Sequence, residues 1–287
     1  MNGASSGAAS TPPATENTAV TRHDHYTHGH AAAVLQAHSR RTVEDSLAYG
    51  LAYLRPGMTV LDLGCGVGTI TVGIAERVAP GWVIAADIHP GVIDQARQYA
   101  RTRGVTNIDF QVMDAYHLDL ADTSIDFAHA HQVLQHVSDP VAVLREMARV
   151  TKPGGIVAAR DGDYESFTWY PADAGIEQWL RLYRTAARAN DGEPDAGRHL
   201  LAWAHAAGLT QVIATSSNWT YSGETAQWWG SSWADRIQHS DLTRQLTESG
   251  LATMAEIESM AQSWLDWSTD PDAWFMLPNG EILATKQ

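Results

Sequence analysis

The segment 60–69, VLDLGCGVGT, constrains the fold of this chain more than any other stretch. An apolar run that contains Asp62 opens into three closely spaced glycines, and a helical pattern follows directly. Such a run is typical of a buried parallel strand that turns tightly into a helix. Gly64, Gly66 and Gly68 let the backbone approach a ligand between that strand and helix, at the carboxyl edge of the sheet.

Strand and helix patterns alternate five times up to residue 163, without a long gap between them. This alternation predicts an α/β fold with a Rossmann-like, doubly wound, mostly parallel sheet. Two later extended runs, 210–221 and 273–286, bring the predicted sheet to seven strands. The second run surrounds the turn sequence PNG, so we expect a closing edge strand or a hairpin there.

The composition changes along the chain. Residues 1–20 are small, polar and proline-containing, which is typical of a disordered tail, and apolar residues at helical spacing follow up to Leu54. Ten of the eleven tryptophans lie after residue 168. We therefore expect five segments: a tail at 1–20, an N-terminal helical segment at 21–55, the core at 56–223, a helical, Trp-rich insertion at 224–270, and the closing strand or hairpin at 271–287.

Charge and cysteine content narrow the class of protein. A formal charge of −14, with no basic cluster longer than Arg40-Arg41, argues against nucleic acid and anionic membranes as partners. Cys65 is the single cysteine, so an intrachain disulfide is excluded. The sequence has no apolar run of about 18 residues and no secretion signal, so we expect a soluble, cytoplasmic protein. Its oligomeric state is left open between a monomer and a homodimer.

The spacing of the loop indicates which ligand it holds. Dinucleotide-binding loops have the pattern G-x-G-x-x-G, whereas this loop has G-x-G-x-G with Asp62 two residues before its first glycine, where it would repel a phosphate. The loop has no lysine, so it is not a P-loop either. A ligand with an ammonium group and no phosphate fits it better. Asp87 ends the second predicted strand, 19 residues beyond Gly68.

At these residues the chain resembles the class I S-adenosylmethionine-dependent methyltransferases. The motifs that carry the resemblance lie within residues 40–163 and read VLDLGCGVG, AADIHP, QVMDAYHL and LREMARVTKPGGIVAARDGD. The subgroup that the chain resembles most is the ubiquinone/menaquinone type with its small-molecule relatives. The resemblance implies S-adenosylmethionine as the cofactor, and it makes the helical segment 21–55 a lid over that cofactor.

The resemblance assigns the methionine part of the cofactor to the glycine loop. Gly64, Gly66 and Gly68 would carry it, Asp62 would orient its ammonium group, and His131 would line the same end. An arginine of HSRRT can meet the methionine carboxylate as a charge-assisted pair. We assign this role to Arg41, with Arg40 as the alternative because the helical phase does not fix which one points inward.

The resemblance assigns the adenosine part to the ends of the second and third strands. Asp87 would accept hydrogen bonds from both ribose hydroxyls, and Ile88 would pack on the adenine. Asp114 would hold the exocyclic amine of the adenine, with Ala115 beside it.

The segment RHDHYTHGH, residues 22–30, holds four histidines and a tyrosine. A metal site there lacks a clean i, i+4 histidine pair and a cysteine partner, so we assign no metal, although the histidines keep that alternative open. Tyr26 and His30 adjoin the lid helix, and a lid excludes water from the transferring methyl group. We hypothesise that these two residues are catalytic, one positioning the acceptor and one accepting its proton.

The acceptor is expected to be a small molecule, because the Asn/Asp-Pro-Pro-aromatic and Pro-Cys motifs of nucleic-acid methyltransferases are absent. Asp161 in RDGDY, together with Trp169, Trp228 and Trp229, is predicted to bind a planar acceptor. Arginine outnumbers lysine by 17 to two, which suggests a high-GC bacterium and natural-product biosynthesis. We hypothesise methylation at carbon 3 of an indole.

Three other functions remain open on sequence alone. Methylation of a quinol or another phenolic oxygen would use the same fold and cofactor. An aminopropyl transferase would need a more acidic groove than the Trp-rich insertion offers. A cofactor-binding protein without turnover is the third, and the intact loop with Asp62 and Asp87 argues against it.

Overall fold

The structure, a computed structural model, describes residues 40–287. Within this range one sheet contains eight strands. In chain order they are β1 Thr59–Leu63, β2 Trp82–Asp87, β3 Ile108–Val112, β4 Ile125–His131, β5 Thr151–Gly162, β6 Thr168–Tyr170, β7 Gln211–Ser222 and β8 Trp274–Thr285.

The strand order is β3-β2-β1-β4-β5-β8, and β1 to β5 are parallel to one another. β8 runs antiparallel to β5, and β7 pairs with β8 along its full length. The three-residue β6 pairs with the first residues of β8, in line with β5, and is the strand beyond the seven expected. β2 and β3 lie on one side of β1, whereas β4 and β5 lie on the other, so the strand order reverses between β1 and β4. This arrangement confirms the predicted doubly wound α/β fold.

Nine α-helices lie between residues 40 and 287. They are α1 Val43–Ser46, α2 Thr69–Val78, α3 Pro90–Arg103, α4 Pro140–Val150, α5 Ala174–Ala189, α6 Leu200–Ala206, α7 Glu224–His239, α8 Asp241–Glu248 and α9 Met254–Thr269. Short 3-10 helices occur at Leu51–Tyr53, Leu134–His136, Tyr164–Ser166 and Ala196–His199.

Local sequence signals explain where several helices begin and end. Asp139 caps α4 by accepting from the Ala142 N–H at 3.0 Å, and Pro140 follows as the first helical residue. Thr253 and Glu256 form a reciprocal capping box at the start of α9. α3 ends at Gly104, whose left-handed conformation (φ 69°) suits glycine.

Alternate residues of the strands face two separate layers of helices. On one face Val60, Phe127 and Leu283 pack with α1 and α2. On the other face Leu61 and Ile282 pack with α4 and α6. Strands covered on both faces have apolar side chains on both, and this explains the continuous apolar runs of the sequence.

A second hydrophobic cluster joins α5, α7, α8 and α9 to the first half of β8. Trp179, Trp233 and Trp264 lie at its centre, with Trp179 4.3 Å from Trp233 and 5.0 Å from Trp264 between ring centroids. Phe275 of β8 contacts the same rings. The late tryptophans are therefore in large part the core of a helical unit that packs on the end of the sheet.

Of the two alternatives at the PNG sequence, the hairpin is wrong, because β8 continues through it as one strand; that strand lies inside the sheet and not at its edge. Asn279 pairs with Gly162 of β5 and with Ser217 of β7, so both edges of β8 are occupied at the expected turn. A Cβ atom on Gly280 would overlap the backbone of Gly197, so glycine here permits a close backbone approach rather than a turn.

The N-terminal calls are only partly within the described range. The tail at 1–20 and most of the lid at 21–55 lie outside it. The part of the lid from residue 40 on consists of the four-residue α1 and the 3-10 helix Leu51–Tyr53. In this chain from residue 40 on, no helix is both long and apolar enough to cross a membrane.

Candidate active site

The glycine loop connects β1 to α2 at the carboxyl edge of the sheet. Gly64, Gly66 and Gly68 all have positive φ angles, of 69°, 55° and 82°. A Cβ on Gly64 would overlap the Cγ2 methyl of Val133, whereas no described atom lies within 4 Å of a Cβ built on Gly66. Gly64 is therefore required by packing, while the backbone at Gly66 borders open space in which a ligand can lie.

Asp87 ends β2 beside this loop, as the sequence predicted. Its Oδ2 accepts from the Gly66 N–H at 3.2 Å, and its Oδ1 accepts from the His89 N–H at 3.1 Å. The carboxylate is half-buried, and Ile88 next to it is 55% exposed. The carboxylate is thus fixed in place with oxygen lone pairs left for further donors, and an apolar side chain lies open beside it.

Asp114 follows β3 at the same edge of the sheet. Its Oδ1 accepts from the Tyr116 N–H at 2.9 Å, and its Oδ2 lies 3.8 Å from His117 Nδ1. Ala115 is partly buried against the core. Asp87 and Asp114 are therefore carried by adjacent strands, which is the arrangement that the sequence predicted.

Asp62 lies beneath the loop rather than in front of it. The residue is only 3% exposed, and both carboxylate oxygens are engaged by the protein. Thr71 Oγ1 donates to Oδ2 at 2.6 Å, and His129 Nδ1 lies 2.8 Å from Oδ1. The predicted direct contact with the ammonium group is therefore corrected: Asp62 supports the loop from below, since its own hydrogen bonds hold β1 to α2 and β4.

His131 is the last residue of β4, next to β1 at the point where the strand order reverses. Its ring is buried, 5.6 Å from the Trp219 ring and 6.3 Å from the His129 ring between centroids. The next residue, Gln132, has φ 53°, a conformation that is strained for a non-glycine residue. Val133 then packs on Gly64. The end of β4 therefore joins the glycine loop to the region beside it.

That region is a cavity of about 340 Å³ between the end of β4, β7 and α7. Its walls combine aromatic rings with charged and amide side chains. The lining residues are Arg40, Arg41, Asp45, Gln132, Gln135, His136, Tyr164, Asn218, Trp219, Thr220, Tyr221, Thr225, Trp228, Trp229, Trp233, Arg236 and Leu277.

Arg41 lies inside this cavity and Arg40 at its exposed margin. Arg41 Nη2 donates to Gln132 Oε1, and its guanidinium is 5.4 Å from the Trp219 ring centroid. Arg40 is exposed and lies 4.6 Å over the Trp228 ring. Of the two alternatives left by the sequence, Arg41 is the one that reaches the end of β4.

Burial shifts the pKa of three titratable side chains of the lining. Burial, together with the Arg41 cation, lowers the pKa of His136 to about 3. Burial also raises the pKa of Tyr164 and of Tyr221 above the ordinary tyrosine value. His136 is therefore a neutral imidazole near pH 7, with one ring nitrogen that can accept a hydrogen bond and one that donates.

A family model described as a methyltransferase domain matches residues 54–227, which is more than half of the chain. The chain belongs to this methyltransferase family. The uncharacterized methyltransferase C1B3.06c of Schizosaccharomyces pombe is 32% identical over 92% of this chain and 97% of its own length.

Two solved structures share the fold. The YcgJ protein of Bacillus subtilis has a TM-score of 0.54 and 21% identity, covering 84% of this chain and 98% of its own. A Haemonchus contortus phosphoethanolamine N-methyltransferase, solved with S-adenosylhomocysteine, has a TM-score of 0.53 and 16% identity, covering 84% and 52%. These likenesses confirm the Rossmann-like fold of the methyltransferase.

The methyltransferase is thus an enzyme, and its cofactor is S-adenosylmethionine, as the sequence predicted. The residues at the edge of the sheet fit that cofactor. The space in front of Gly66 admits the methionine part, and the carboxylates of Asp87 and Asp114 suit the hydroxyl and amine donors of the adenosine part. The exposed Ile88 offers an apolar surface for a ring.

Two of the predicted substrate residues are not in the cavity. Asp161 is fully buried on the opposite face of β5, where its Oδ1 accepts from the Gln135 N–H at 3.1 Å. Trp169 stacks on Phe275, 6.0 Å between ring centroids, at the margin of the helical unit. Trp228 and Trp229 do line the cavity. The two corrections have one cause, since both residues lie on strands and the sequence did not fix which face of the sheet each side chain takes.

The predicted catalytic pair, Tyr26 and His30, lies outside the described residues, as does the rest of the histidine segment. Among residues 40–287, no group of three or more His, Cys, Asp or Glu side chains is arranged to hold a metal ion.

Among the lining residues of the cavity that sequence reasoning missed, Arg236 and Gln132 had a signal in the sequence. Arg236 follows Trp233 by three positions on α7, so a Trp/Arg pair at helical spacing could have identified it. Gln132 directly follows β4, and strand ends at the switch point are where ligands bind. The place of Trp219 on the cavity wall depends on the pairing of β7 with β8.

Proposed function

We propose that this methyltransferase transfers the methyl group of S-adenosylmethionine to a small aromatic acceptor bound in the tryptophan-lined cavity. The observation that carries the proposal is the position of that cavity. Gln132 lines it, and the next residue, Val133, packs on Gly64 of the cofactor loop. An acceptor between Trp219 and Trp228 would therefore lie beside a cofactor carried by the loop.

The cofactor supplies a methyl carbon that its sulfonium already activates, and the protein aligns the acceptor with it. The acceptor atom forms the new bond to carbon while the carbon–sulfur bond breaks and its electron pair stays on sulfur. Gly66, Asp87 and Asp114 would hold the cofactor, with Arg41 on the methionine carboxylate. The stacked walls of the cavity would exclude water and orient a flat ring.

The finer proposal is methylation at carbon 3 of an indole. Flat aromatic walls support it, because an indole ring offers its faces to Trp219 and Trp228. Loss of the ring N–H proton makes that carbon more nucleophilic, so the reaction needs a proton acceptor. The low pKa of His136 makes it a poor proton acceptor. The role of proton acceptor therefore stays with Tyr26 or His30, as hypothesised from the sequence. Methylation of a quinol or phenol oxygen is the alternative, and it fits the same walls.

Methyl-labelled S-adenosylmethionine and a mixed panel of indoles, quinols and phenols test the proposal by mass spectrometry. Label on an indole carbon supports the finer proposal, and label on a phenolic oxygen supports the alternative. If S-adenosylhomocysteine binds but no aromatic acceptor gains label, the proposed acceptor class is wrong.

Two tryptophan variants test whether the acceptor binds in the cavity. We expect Trp228→Leu to raise KM for the aromatic acceptor about tenfold, because stacking on an exposed ring face is lost. Trp169→Leu is the matched control, since Trp169 lies outside the cavity and should leave KM unchanged. Equal KM values in the two variants would contradict the assignment of the cavity.

A further inference from the structure

We propose that Arg160 is a positioning residue for the aromatic acceptor, because it holds the ring of Trp219 in place on the cavity wall. The described residues that line the cavity include Trp219 but not Arg160. Arg160 therefore acts on the acceptor through the Trp219 ring and not by contact. The inference rests on the proposed function, since it concerns the acceptor side of the same cavity.

The guanidinium group of Arg160 is fixed by hydrogen bonds to two neighbouring strands. Arg160 lies on β5 and is 1% exposed. Its Nε donates to Glu281 Oε1 and to Ser217 Oγ, both at 3.2 Å, and its Nη2 donates to Ser217 Oγ at 3.1 Å. The Glu281 carboxylate is fixed in turn, because it accepts from the Ser217 hydroxyl and, at 2.8 Å, from Thr215 Oγ1. Arg160 is thus tied to β7 and β8 at once.

Trp219 shares a face of β7 with the residues that hold this ion pair. Thr215, Ser217 and Trp219 are alternate residues of one strand, so their side chains point to the same face of the sheet. The guanidinium carbon of Arg160 lies 4.4 Å from the centroid of the Trp219 ring. This distance is that of a cation–π interaction, which is stronger where the cation is removed from water, as Arg160 is.

The contact with Arg160 matters because no residue between 40 and 287 accepts a hydrogen bond from the buried Nε1 of Trp219. The orientation of the ring therefore depends on contacts with its face and edge. The Arg41 guanidinium and the His131 ring lie farther from the ring centroid than Arg160, at 5.4 Å and 5.6 Å. Arg160 is the nearest of these three groups.

The stability of the fold does not by itself account for a buried ion pair at this place. Desolvation of two charges offsets most of their attraction, so apolar residues of similar volume stabilise a protein as well or better. An apolar side chain at position 160 would leave the Trp219 ring without a cation over its face. The ion pair of Arg160 and Glu281 therefore supplies what an apolar pair lacks, a fixed cation against one wall of the cavity.

The orientation of this wall bears on the reaction. Methyl transfer needs the acceptor atom in line with the methyl carbon and the sulfur, and a small displacement lowers the rate strongly. An acceptor that stacks on Trp219 takes its plane from that ring. Because Arg160 fixes the ring before the acceptor binds, less conformational freedom is lost on binding.

The first test observes the Trp219 ring directly, by fluorine NMR of the full chain labelled with fluorotryptophan and saturated with S-adenosylhomocysteine. Trp219→Phe identifies the resonance. The double variant Arg160→Met/Glu281→Met removes the cation and the anion together, and we expect it to shift or broaden the Trp219 resonance. Lys152→Met is the matched control, since Lys152 pairs with Asp126 at the opposite end of β5 and should leave the resonance unchanged.

The second test titrates indole calorimetrically into the same proteins. The double methionine variant should bind indole about tenfold more weakly, because the desolvated cation–π contact that orients Trp219 is lost. Its midpoint in urea denaturation should stay close to that of the unmodified protein. Arg160→Lys should keep part of the affinity, because it retains the charge and loses the planar stacking. Lost affinity at kept stability distinguishes a positioning residue from a structural one.

A double-mutant cycle shows whether Arg160 acts through Trp219. In a Trp219→Leu background the two methionines should cost no further indole affinity, because the ring that Arg160 positions is absent. An unchanged Trp219 resonance, an unchanged indole affinity, or an equal loss of affinity in both backgrounds would overturn the inference. If the double methionine variant does not fold, Arg160→Lys replaces it, and an unchanged resonance there overturns the inference as well.

The outcomes also separate this inference from the proposed function. If the Trp219 resonance responds to the two methionines but no indole, quinol or phenol binds or gains label, the proposed acceptor class fails and the role of Arg160 in holding the Trp219 ring stands. If indole binds and gains label while the resonance does not respond, the proposed function stands and this inference fails.

Discussion

Two glycines of the cofactor loop, Gly64 and Gly66, should differ in what the same substitution, glycine to alanine, impairs. A Cβ on Gly64 would overlap the Cγ2 methyl of Val133, whereas a Cβ on Gly66 meets no described atom within 4 Å. Both residues have positive φ angles, so alanine strains the backbone at each. The difference between the variants therefore isolates packing at Gly64 and ligand space at Gly66.

The expected magnitudes follow from these contacts. Left-handed backbone costs an alanine about 1–2 kcal/mol, and overpacking against a stiff valine costs about 1–3 kcal/mol more. Gly64→Ala should therefore lower the free energy of unfolding by roughly 2–5 kcal/mol, and Gly66→Ala by only about 1–2 kcal/mol. Gly66→Ala should instead lose affinity for S-adenosylhomocysteine by about tenfold or more, because its methyl group occupies the space of the ligand.

Urea denaturation and calorimetric titration with S-adenosylhomocysteine measure the two effects. The double variant Gly64→Ala/Val133→Ala removes the overlapping methyl groups, so it should be more stable than the sum of its single changes predicts. If Gly66→Ala binds S-adenosylhomocysteine as tightly as the unmodified protein, the ligand does not lie in front of Gly66. If Gly64→Ala is as stable as Gly66→Ala, packing on Val133 is not the reason for glycine there.

Three further predictions concern polar side chains on β5 and β8 and at the end of β4. Arg160 and Glu281 form a buried ion pair, so Glu281→Gln should lower the free energy of unfolding by about 3–5 kcal/mol in urea denaturation, and the double change to methionines should recover most of it. Burial raises the pKa of Asp161 to about 8, above its unfolded value near 3.9, so the folded protein loses stability as pH rises from about 4 to about 8. Asp161→Asn should gain stability relative to the unmodified protein over that range in thermal unfolding, and a constant difference would refute it. Gln132→Gly should gain about 1 kcal/mol from relief of its φ of 53° yet bind S-adenosylhomocysteine less tightly, because Arg41 loses its hydrogen bond to the Gln132 side chain.

The sheet was predictable from sequence because its signals are local. Buried parallel strands have continuous apolar runs, and the glycines of VLDLGCGVGT mark the turn into α2 within ten residues. The positions of Asp87 and Asp114 were predictable for a similar reason. Residues at or just after the end of a parallel strand lie at the ligand-binding edge of the sheet, independently of contacts distant in sequence.

The cavity was not predictable in the same way, because its walls depend on contacts distant in sequence. Trp219 of β7 lies beside Arg160 of β5 only because β8 pairs with both strands. The PNG sequence has the local signal of a turn, and pairing on both of its edges overrides that signal. Asp161 and Trp169 failed as acceptor residues for the same reason, since only the completed sheet decides which face they take.

The cavity walls also constrain how the acceptor preference of this enzyme can change. Trp229 and Trp233 line the cavity and are at the same time buried in the core of the helical unit, so truncating either costs stability, about 3–5 kcal/mol for a fully buried tryptophan. Trp219 and Trp228 are half-buried, and Thr225 is exposed, so changes there alter the cavity without opening the core. All five residues line the same cavity. A substitution at Trp219, Trp228 or Thr225 should therefore change acceptor affinity at a smaller cost in stability than a substitution at Trp229 or Trp233.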